Sequence, residues 1–304
     1  MSLLPYILFN EDPLNSKKPD PDFEYESECA KECGFQTLLF SYEDLIRTGN
    51  AKSLDKLISA TGQQPVIYRG WMLKPSVYEK LYSLLAQKNY CLINSPEQYK
   101  TCHYLPESLP FIKDHTPLTV FEKISGENNL EKVIERCAVF GNRAITIKDY
   151  VKSEKHHWET ACFVPAACGK DKLRSSILRF MELRGSELNE GIVVREYVKL
   201  KDLAIHSKSG MPLAEEYRLF FINGHLLDAF NYWEEGDYAA EKPQLENFIN
   251  VGEKIPSNFF TMDVAKKEDG SFIIMELGDG QVSGVPEAAD KRKFFESIRK
   301  LYHS

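Results

Sequence analysis

The sequence predicts a mixed protein, a small and mainly parallel α/β unit followed by two α+β units. Three observations carry that reading. Over the first hundred residues, apolar runs of strand length alternate with helix-periodic stretches, the order that builds a parallel sheet. Two later dipeptides, Asn223-Gly224 and Asp269-Gly270, each sit between β-rich runs and supply the φ > 0 positions of a tight antiparallel turn. The last predicted helix, Pro286–Tyr302, gathers Phe294, Phe295, Ile298, Leu301 and Tyr302 on one face for docking against that antiparallel sheet. At 304 residues the chain can bury two or three cores.

Taken in order, residues 5–10 (PYILFN) predict a first strand, then a polar loop and a helix from Asp22 to Glu32 that Gly34 stops. Phe35–Ser41 is a second strand and Ala51–Ala60 a short helix. Pro65–Arg69 is a third strand, closing on Gly70-Trp71. Pro75 opens a helix with Val77, Leu81, Leu84 and Leu85 as its apolar stripe, and proline suits a first turn. Tyr90–Ile93 is a fourth strand, with Ser95 as N-cap of the helix after it. Ligands of such sheets bind at the carboxyl ends of the strands, so Arg69 is either an anion-binding group or a solvated loop arginine. Prolines between Leu105 and Thr116 predict a linker, which bounds a first unit at 1–115.

A second unit, 116–200, follows. It begins with a helix near Asn129–Cys137 and a strand, Ala144–Ile147, whose end carries Lys148 ahead of Lys152 and Ser153. A lysine there is either a phosphate contact or a solvated side chain. Helix Lys170–Leu183 and strand Gly191–Leu200 complete the unit. The third unit, 201–304, opens with the Asn223-Gly224 hairpin, whose register sets Arg218 opposite Ala229. A helix over 241–252 and the 262–277 hairpin come next.

In that second hairpin, a two-residue Asp269-Gly270 loop places Asp263 opposite Glu276. Opposed carboxylates ~5 Å apart repel by on the order of 3 kcal/mol at an effective dielectric of ~20, unless something neutralises them. Asp279, in the bend Gly278-Asp279-Gly280, adds a third carboxylate. Either these acids point into water or they hold a cation, and an all-oxygen donor set favours Mg²⁺ or Mn²⁺.

Composition narrows the partners. The formal net charge is -7 with no sustained basic run, which disfavours nucleic-acid and membrane-surface binding. No apolar run approaches a membrane span, and the first residues lack the basic flank of a signal peptide. Seven cysteines fit reduced thiols, hence a cytoplasmic location. No Ser-His-Asp or Cys-His constellation stands out, and His103, His156 and His157 read as lid or surface residues.

The order of these parts resembles the ATP-grasp superfamily over essentially the whole chain. The segments Y-R-G-W-M-L at 68–73 and E-L-G-D-G-Q-V-S-G at 276–284 resemble one of its compact, little-characterised clades. The resemblance implies two α+β lobes closing on ATP behind the N-terminal α/β lobe. Lys148 would meet the ATP phosphates or the adenine N7, and Lys152 a phosphate. Glu196, Tyr197 and Val198 would hold the adenine edge, and Arg218 the γ-phosphate. Asp263, Glu276 and Asp279 would bind Mg²⁺ (Mn²⁺ possible), and Arg69 an acceptor carboxylate. One departure matters: the familiar ligases carry Asn two residues after the metal-binding Glu, where this chain has Gly278. The implied reaction activates a small-molecule or peptide carboxylate as an acylphosphate, which an amine or similar nucleophile attacks, releasing ADP and phosphate. Two other readings stay open, a phosphotransferase using the same site and a non-catalytic ATP-binding assembly factor.

Overall fold

The computed structural model describes residues 3–125, 128–207, 212–238 and 245–303. Strand β1 (Tyr6–Asp12) turns back into an antiparallel edge strand, β2 (Asn15–Pro19), where a polar loop was expected. Helix α1 (Glu24–Glu32) leads to β3 (Thr37–Phe40), short helices α2 (Tyr42–Thr48) and α3 (Lys52–Asp55), and β4 (Gln64–Arg69). Helix α4 (Pro75–Ala86), β5 (Tyr90–Leu92) and α5 (Pro96–His103) follow. Strands β1, β3, β4 and β5 pair in parallel in the order β3-β1-β4-β5, as the alternation predicts. Ser95 caps α5 through a capping box with Gln98.

The predicted linker is a helix, α6 (Leu105–Ile112). Pro106 lies in its first turn and Pro110 inside it. The helix holds because Leu105 and Ile112 are buried against the antiparallel sheet of the third unit, which outweighs one missing backbone hydrogen bond. Strand β6 (Thr119–Lys123), helix α7 (Asn128–Arg136), β7 (Ile145–Asp149), β8 (Phe163–Val164), helix α8 (Lys170–Arg184) and β9 (Gly191–Glu196) then form an antiparallel sheet ordered β6-β9-β7-β8. Its two helices close a core that includes Val133, Ile147, Ile177, Phe180 and Val194. Lys148 lies within β7, and β9 ends at Glu196, four residues short of expectation.

In the third unit, β10 (Asp202–Ile205) and β11 (Pro212–Ala214) make a small ribbon. Strands β12 (Glu216–Ile222), β13 (His225–Asn231), β14 (Phe259–Lys266) and β15 (Phe272–Asp279) form an antiparallel sheet ordered β13-β12-β14-β15, with helix α9 (Glu246–Gly252) on its face. Residues 241–244 of the expected helix lie outside the described residues. The last helix, α10 (Lys291–His303), begins five residues later than predicted. It wedges between the two sheets: Phe294 meets Phe220 at 5.0 Å and Phe295 meets Phe35 at 5.7 Å. Among the described residues no helix is long and apolar enough to cross a membrane.

Both hairpins depart from the predicted register in an instructive way. Asn223 and Gly224 have φ of 50° and 80°, the expected two-residue turn. A bulge at Phe220/Phe221 then shifts the ladder, so Arg218 faces Phe230 and not Ala229. In the second hairpin Asp269 does not adopt positive φ. The loop has three residues, Glu268 to Gly270, closed by Lys267 N–H to Ser271 O at 2.8 Å, with Gly270 at φ 86°. A second bulge, between Asp263 and Val264, takes up the extra residue, and Asp263 still pairs with Glu276.

Candidate functional site

The face of the third-unit sheet that looks toward β7 carries a line of alternating charge. Arg218 on β12 sits beside Asp263 on β14, which sits beside Glu276 on β15. Arg218 grips Asp263 with both forks, Nε to Oδ1 at 2.8 Å and Nη2 to Oδ2 at 2.7 Å. Lys148 reaches across from β7 to Glu276 Oε2 at 2.7 Å. The two carboxylates that would repel each other are therefore each neutralised by a cation. Burial pushes the Glu276 carboxyl up, but Lys148 beside it prevails and holds it at about 2. Burial also raises Asp263, and the Arg218 fork pulls it back. Arg218 is held further by the Tyr232 ring, 4.6 Å from its guanidinium carbon, and by the Gly284 carbonyl at 3.0 Å.

This line borders a cleft of about 700 Å³ between the β6-β9-β7-β8 sheet and the third-unit sheet. Lys148, Lys152, Glu196, Tyr197 and Val198 all line it. Burial, then Lys148 and Arg184, pull the Lys152 ammonium below its ordinary value against Glu276. Arg143 holds the Glu196 carboxylate at 3.1 Å, and the N–H groups of Glu196 and Tyr197 bond Leu118 and Ala144. Among the described residues the Val198 backbone makes no hydrogen bond, so it is the open edge of this hinge. Trp158, Phe163 and Tyr197 pack together beside it, the Trp158 and Phe163 rings stacked at 5.2 Å.

Two predicted residues take other places. Asp279 is one residue out of phase with Glu276 and Gly278, so it faces the opposite side of β15. It is fully buried. Asn94 Nδ2 donates to its Oδ2 at 2.6 Å, and Gln281 donates to Oδ1 through its backbone N–H at 2.9 Å and its Nε2 at 3.1 Å. Burial lifts its carboxyl to about 7 against those bonds. Among the described residues no group of three His, Cys, Asp or Glu side chains is arranged to hold a metal. Arg69 is equally enclosed, 1% exposed. Its Nε meets Glu26 Oε1 at 2.5 Å and its Nη1 donates to the carbonyls of Gly280 and Ser283, so no donor face is left for an acceptor carboxylate.

Three further residues belong to the site. Glu216 precedes Arg218 by two on β12 and shares its face, a signal that strand alternation offers. It lines the cleft, takes a hydrogen bond from Trp233 Nε1 at 3.2 Å, and burial raises its carboxyl to about 7. Arg195 is buried on β9 with no carboxylate paired to it among the described residues, and burial lowers its guanidinium to about 10. It donates to the carbonyl of Met275, the bulge residue, at 2.7 Å and to Thr116 Oγ1 at 2.6 Å, tying one sheet to the other. His103 lines a smaller extension of the cleft, of about 200 Å³, toward the first unit.

The Gly278 position explains the departure from the familiar ligase pattern. A Cβ there would stand 2.6 Å from Ser283 Oγ and 2.7 Å from Thr261 Oγ1, and those hydroxyls bond each other at 2.8 Å. Gly278→Asn is therefore expected to destabilise the protein by about 1–3 kcal/mol through overpacking, read as a lower urea midpoint. An unchanged midpoint would mean that the hydroxyl pair gives way freely.

A family model described as an ATP-grasp domain, clade family 3, matches residues 139–298, just over half of the chain. The chain belongs to this family of ATP-grasp domains. The ATP-grasp fold extends over its whole length. D-cycloserine synthetase DcsG superposes with a TM-score of 0.61 at 12% identity, covering 98% of this chain and 99% of that one. D-alanyl-alanine synthetase A from Vibrio cholerae gives 0.55 at 10% identity, over 100% and 99%. ATP-grasp ligase PsnB, complexed with precursor peptide PsnA2 and AMPPNP, gives 0.55 at 11% identity, over 99% and 100%. At these identities the likeness concerns the fold. No protein of curated function matches the sequence.

Proposed function

We propose that this ATP-grasp protein is an ATP- and Mg²⁺-dependent ligase that activates a carboxylate as an acylphosphate for attack by an amine or similar nucleophile. The observation that carries this reading is the charge line Arg218–Asp263–Glu276–Lys148, drawn across a cleft between two sheets. Its donor chemistry fits the implied groups. Two facing carboxylates with oxygen donors only suit Mg²⁺, and cations at both ends suit phosphates. Asp263 and Glu276 would hold the ion. When bound, it supplies charge neutralisation at the phosphate oxygens.

The chain's own residues do the rest by positioning. Lys148, 12% exposed and pointing into the cleft, exchanges Glu276 for a phosphate oxygen. Lys152 adds a second contact beside it. Arg218, steadied by Tyr232 and Gly284, keeps one N–H on each of Nη1 and Nη2 beyond its bonds to Asp263 and Gly284, and these meet the departing γ-phosphoryl group. The open Val198 backbone offers a donor and an acceptor to the adenine edge, next to Glu196 and the Tyr197 ring. No protein nucleophile is needed, because phosphoryl transfer of this kind rests on orientation and electrostatics. The substrates proposed are a small-molecule or peptide carboxylate and an amine.

Incubation with Mg²⁺, ATP and pooled carboxylates and amines tests the reading. ADP plus inorganic phosphate is expected. ADP with a phosphorylated acceptor would make the protein a phosphotransferase. Binding has its own expected result: Mg–ATP at ~100 times its Kd adds about 2.7 kcal/mol to the folded state, a rise of several degrees in Tm. An unchanged Tm at millimolar Mg–ATP would sink the nucleotide reading.

A further inference from the structure

The smaller extension of the cleft is walled by Met72, His103 and Leu105 from the first unit and by the Gly278–Gly284 segment from the third. It meets the larger cleft at Lys148, Asp263 and Glu276, where the activated carboxylate would stand. We infer that this extension receives the amine, and that His103 accepts the amine's proton as it attacks. The inference rests on the ligase reading and deepens it.

The lining explains why a proton acceptor is required. Every carboxylate there has a partner: Asp263 pairs with Arg218 and Glu276 with Lys148, the two that the proposed function gives to the metal, and Asp279 is held by Asn94 and Gln281. None is free to hold an ammonium, while Lys148, Lys152 and Arg218 face the same space. An amine must therefore react unprotonated, or shed its proton as it bonds. His103 supplies a basic atom that no hydrogen bond occupies among the described residues. Its ring is fixed between Tyr99, at 5.0 Å, and Tyr104, at 5.6 Å, and it ends α5 beside the cavity. Burial first, then Lys152 and Lys148, drive the imidazole down to about 4 against Asp149 and Glu276, so it is unprotonated at neutral pH and, as a weak base, takes the proton only in passing and releases it at once to solvent. In the step itself the amine lone pair forms the C–N bond. The C–O bond to phosphate breaks, its electron pair leaving on inorganic phosphate. The nitrogen's proton passes to the imidazole and then to solvent.

The experiment compares two nucleophiles on the full chain. Wild type, His103→Gln and His103→Ala are given Mg–ATP and an equimolar pool of the twenty L-amino acids, with or without hydroxylamine. Hydroxylamine is uncharged at neutral pH and traps an acylphosphate as a hydroxamate. His103→Gln should lower amide formation roughly 100-fold, the usual contribution of a positioned base, and hydroxamate formation less than tenfold. Added imidazole should restore much of the amide rate in His103→Ala, a response that a packing role would not give. The Mg–ATP rise in Tm, measured on both variants, identifies the one that folds. Equal losses with both nucleophiles, or no rescue in a folded His103→Ala, overturn the inference while leaving the ligase reading intact. Absence of both amide and hydroxamate in wild type removes the ligase reading, and this inference with it.

Discussion

Glu276→Gln is expected to lower turnover roughly 1,000-fold, the scale at which a single charge-stabilising group acts in a closed site. It should also abolish most of the Mg–ATP rise in Tm. The same change, measured without added Mg–ATP, tests the electrostatics of the cleft, where opposed carboxylates taken alone predict that removing one would stabilise the protein. The structure reverses that sign, because the repulsion is already cancelled. Glutamine can still accept a hydrogen bond from Lys148 but cannot neutralise it, so an ammonium only 12% exposed loses its ion pair at 2.7 Å. A loss of about 1 kcal/mol follows, kept small because the Glu276 side chain is 41% exposed and water screens the pair. The pH dependence has a definite sign. Glu276 is held at about 2, below its unfolded value, so its contribution is complete above the unfolded value and fades as pH falls toward 2. Urea denaturation across that acid range should show a shallower decline for the variant than for wild type. A variant more stable than wild type at pH 7 would mean that bare repulsion governs the pair.

The parts of this fold that sequence reveals are those governed by local chemistry. Alternation gave the parallel sheet, Ser95 and Gln98 a cap, and Asn223-Gly224 a turn with the expected dihedrals. Pairing Asp263 with Glu276 succeeded through two cancelling irregularities, a third loop residue and a bulge at Met275, which the turn dipeptide cannot express. Helix α6 was hidden because its prolines are local while the sheet that buries Leu105 and Ile112 is remote in sequence. The same separation decided the site. Lys148, Arg218, Asp263 and Glu276 lie within strands that the apolar pattern marks, although bulges at Phe220/Phe221 and Met275 shift the ladders beside three of them. Asp279 was misplaced by treating the bend after Glu276 as flexible, when strand β15 runs through it and turns its carboxylate to Asn94. Arg195 acts through Met275 and Thr116, and His103 borders a cavity shared with the third unit, and nothing beside either residue in the chain announces it.

Arg69→Met should be the most destabilising of the substitutions considered, by about 3–5 kcal/mol, because it leaves a buried carboxylate without its partner. Arg69 ends β4 at the carboxyl edge of the parallel sheet, the position that suggested substrate binding. Glu26, on α1, is itself only 4% exposed and meets the guanidinium at 2.5 Å. The other side of the guanidinium holds the carbonyls of Gly280 and Ser283, and its face lies 5.6 Å over the Phe294 ring. One side chain thus joins the first unit, the segment after β15 and the last helix. Methionine can fill much of the volume but returns none of those bonds. Replacing Glu26 as well, in Arg69→Met/Glu26→Leu, removes the stranded charge and should recover a large part of the loss, leaving the cost of two unpaired carbonyls. Non-additivity of that size is the mark of a direct pair. The measurement is urea denaturation of wild type, both single variants and the double variant. An acceptor-binding arginine gives the opposite pattern, a single variant of normal stability with a raised acceptor KM, and that outcome would return Arg69 to the substrate. The structure favours the staple, since Arg218 donates to Gly284 one residue beyond Ser283, so loosening the segment that Arg69 ties down also loosens the residue gripping Asp263.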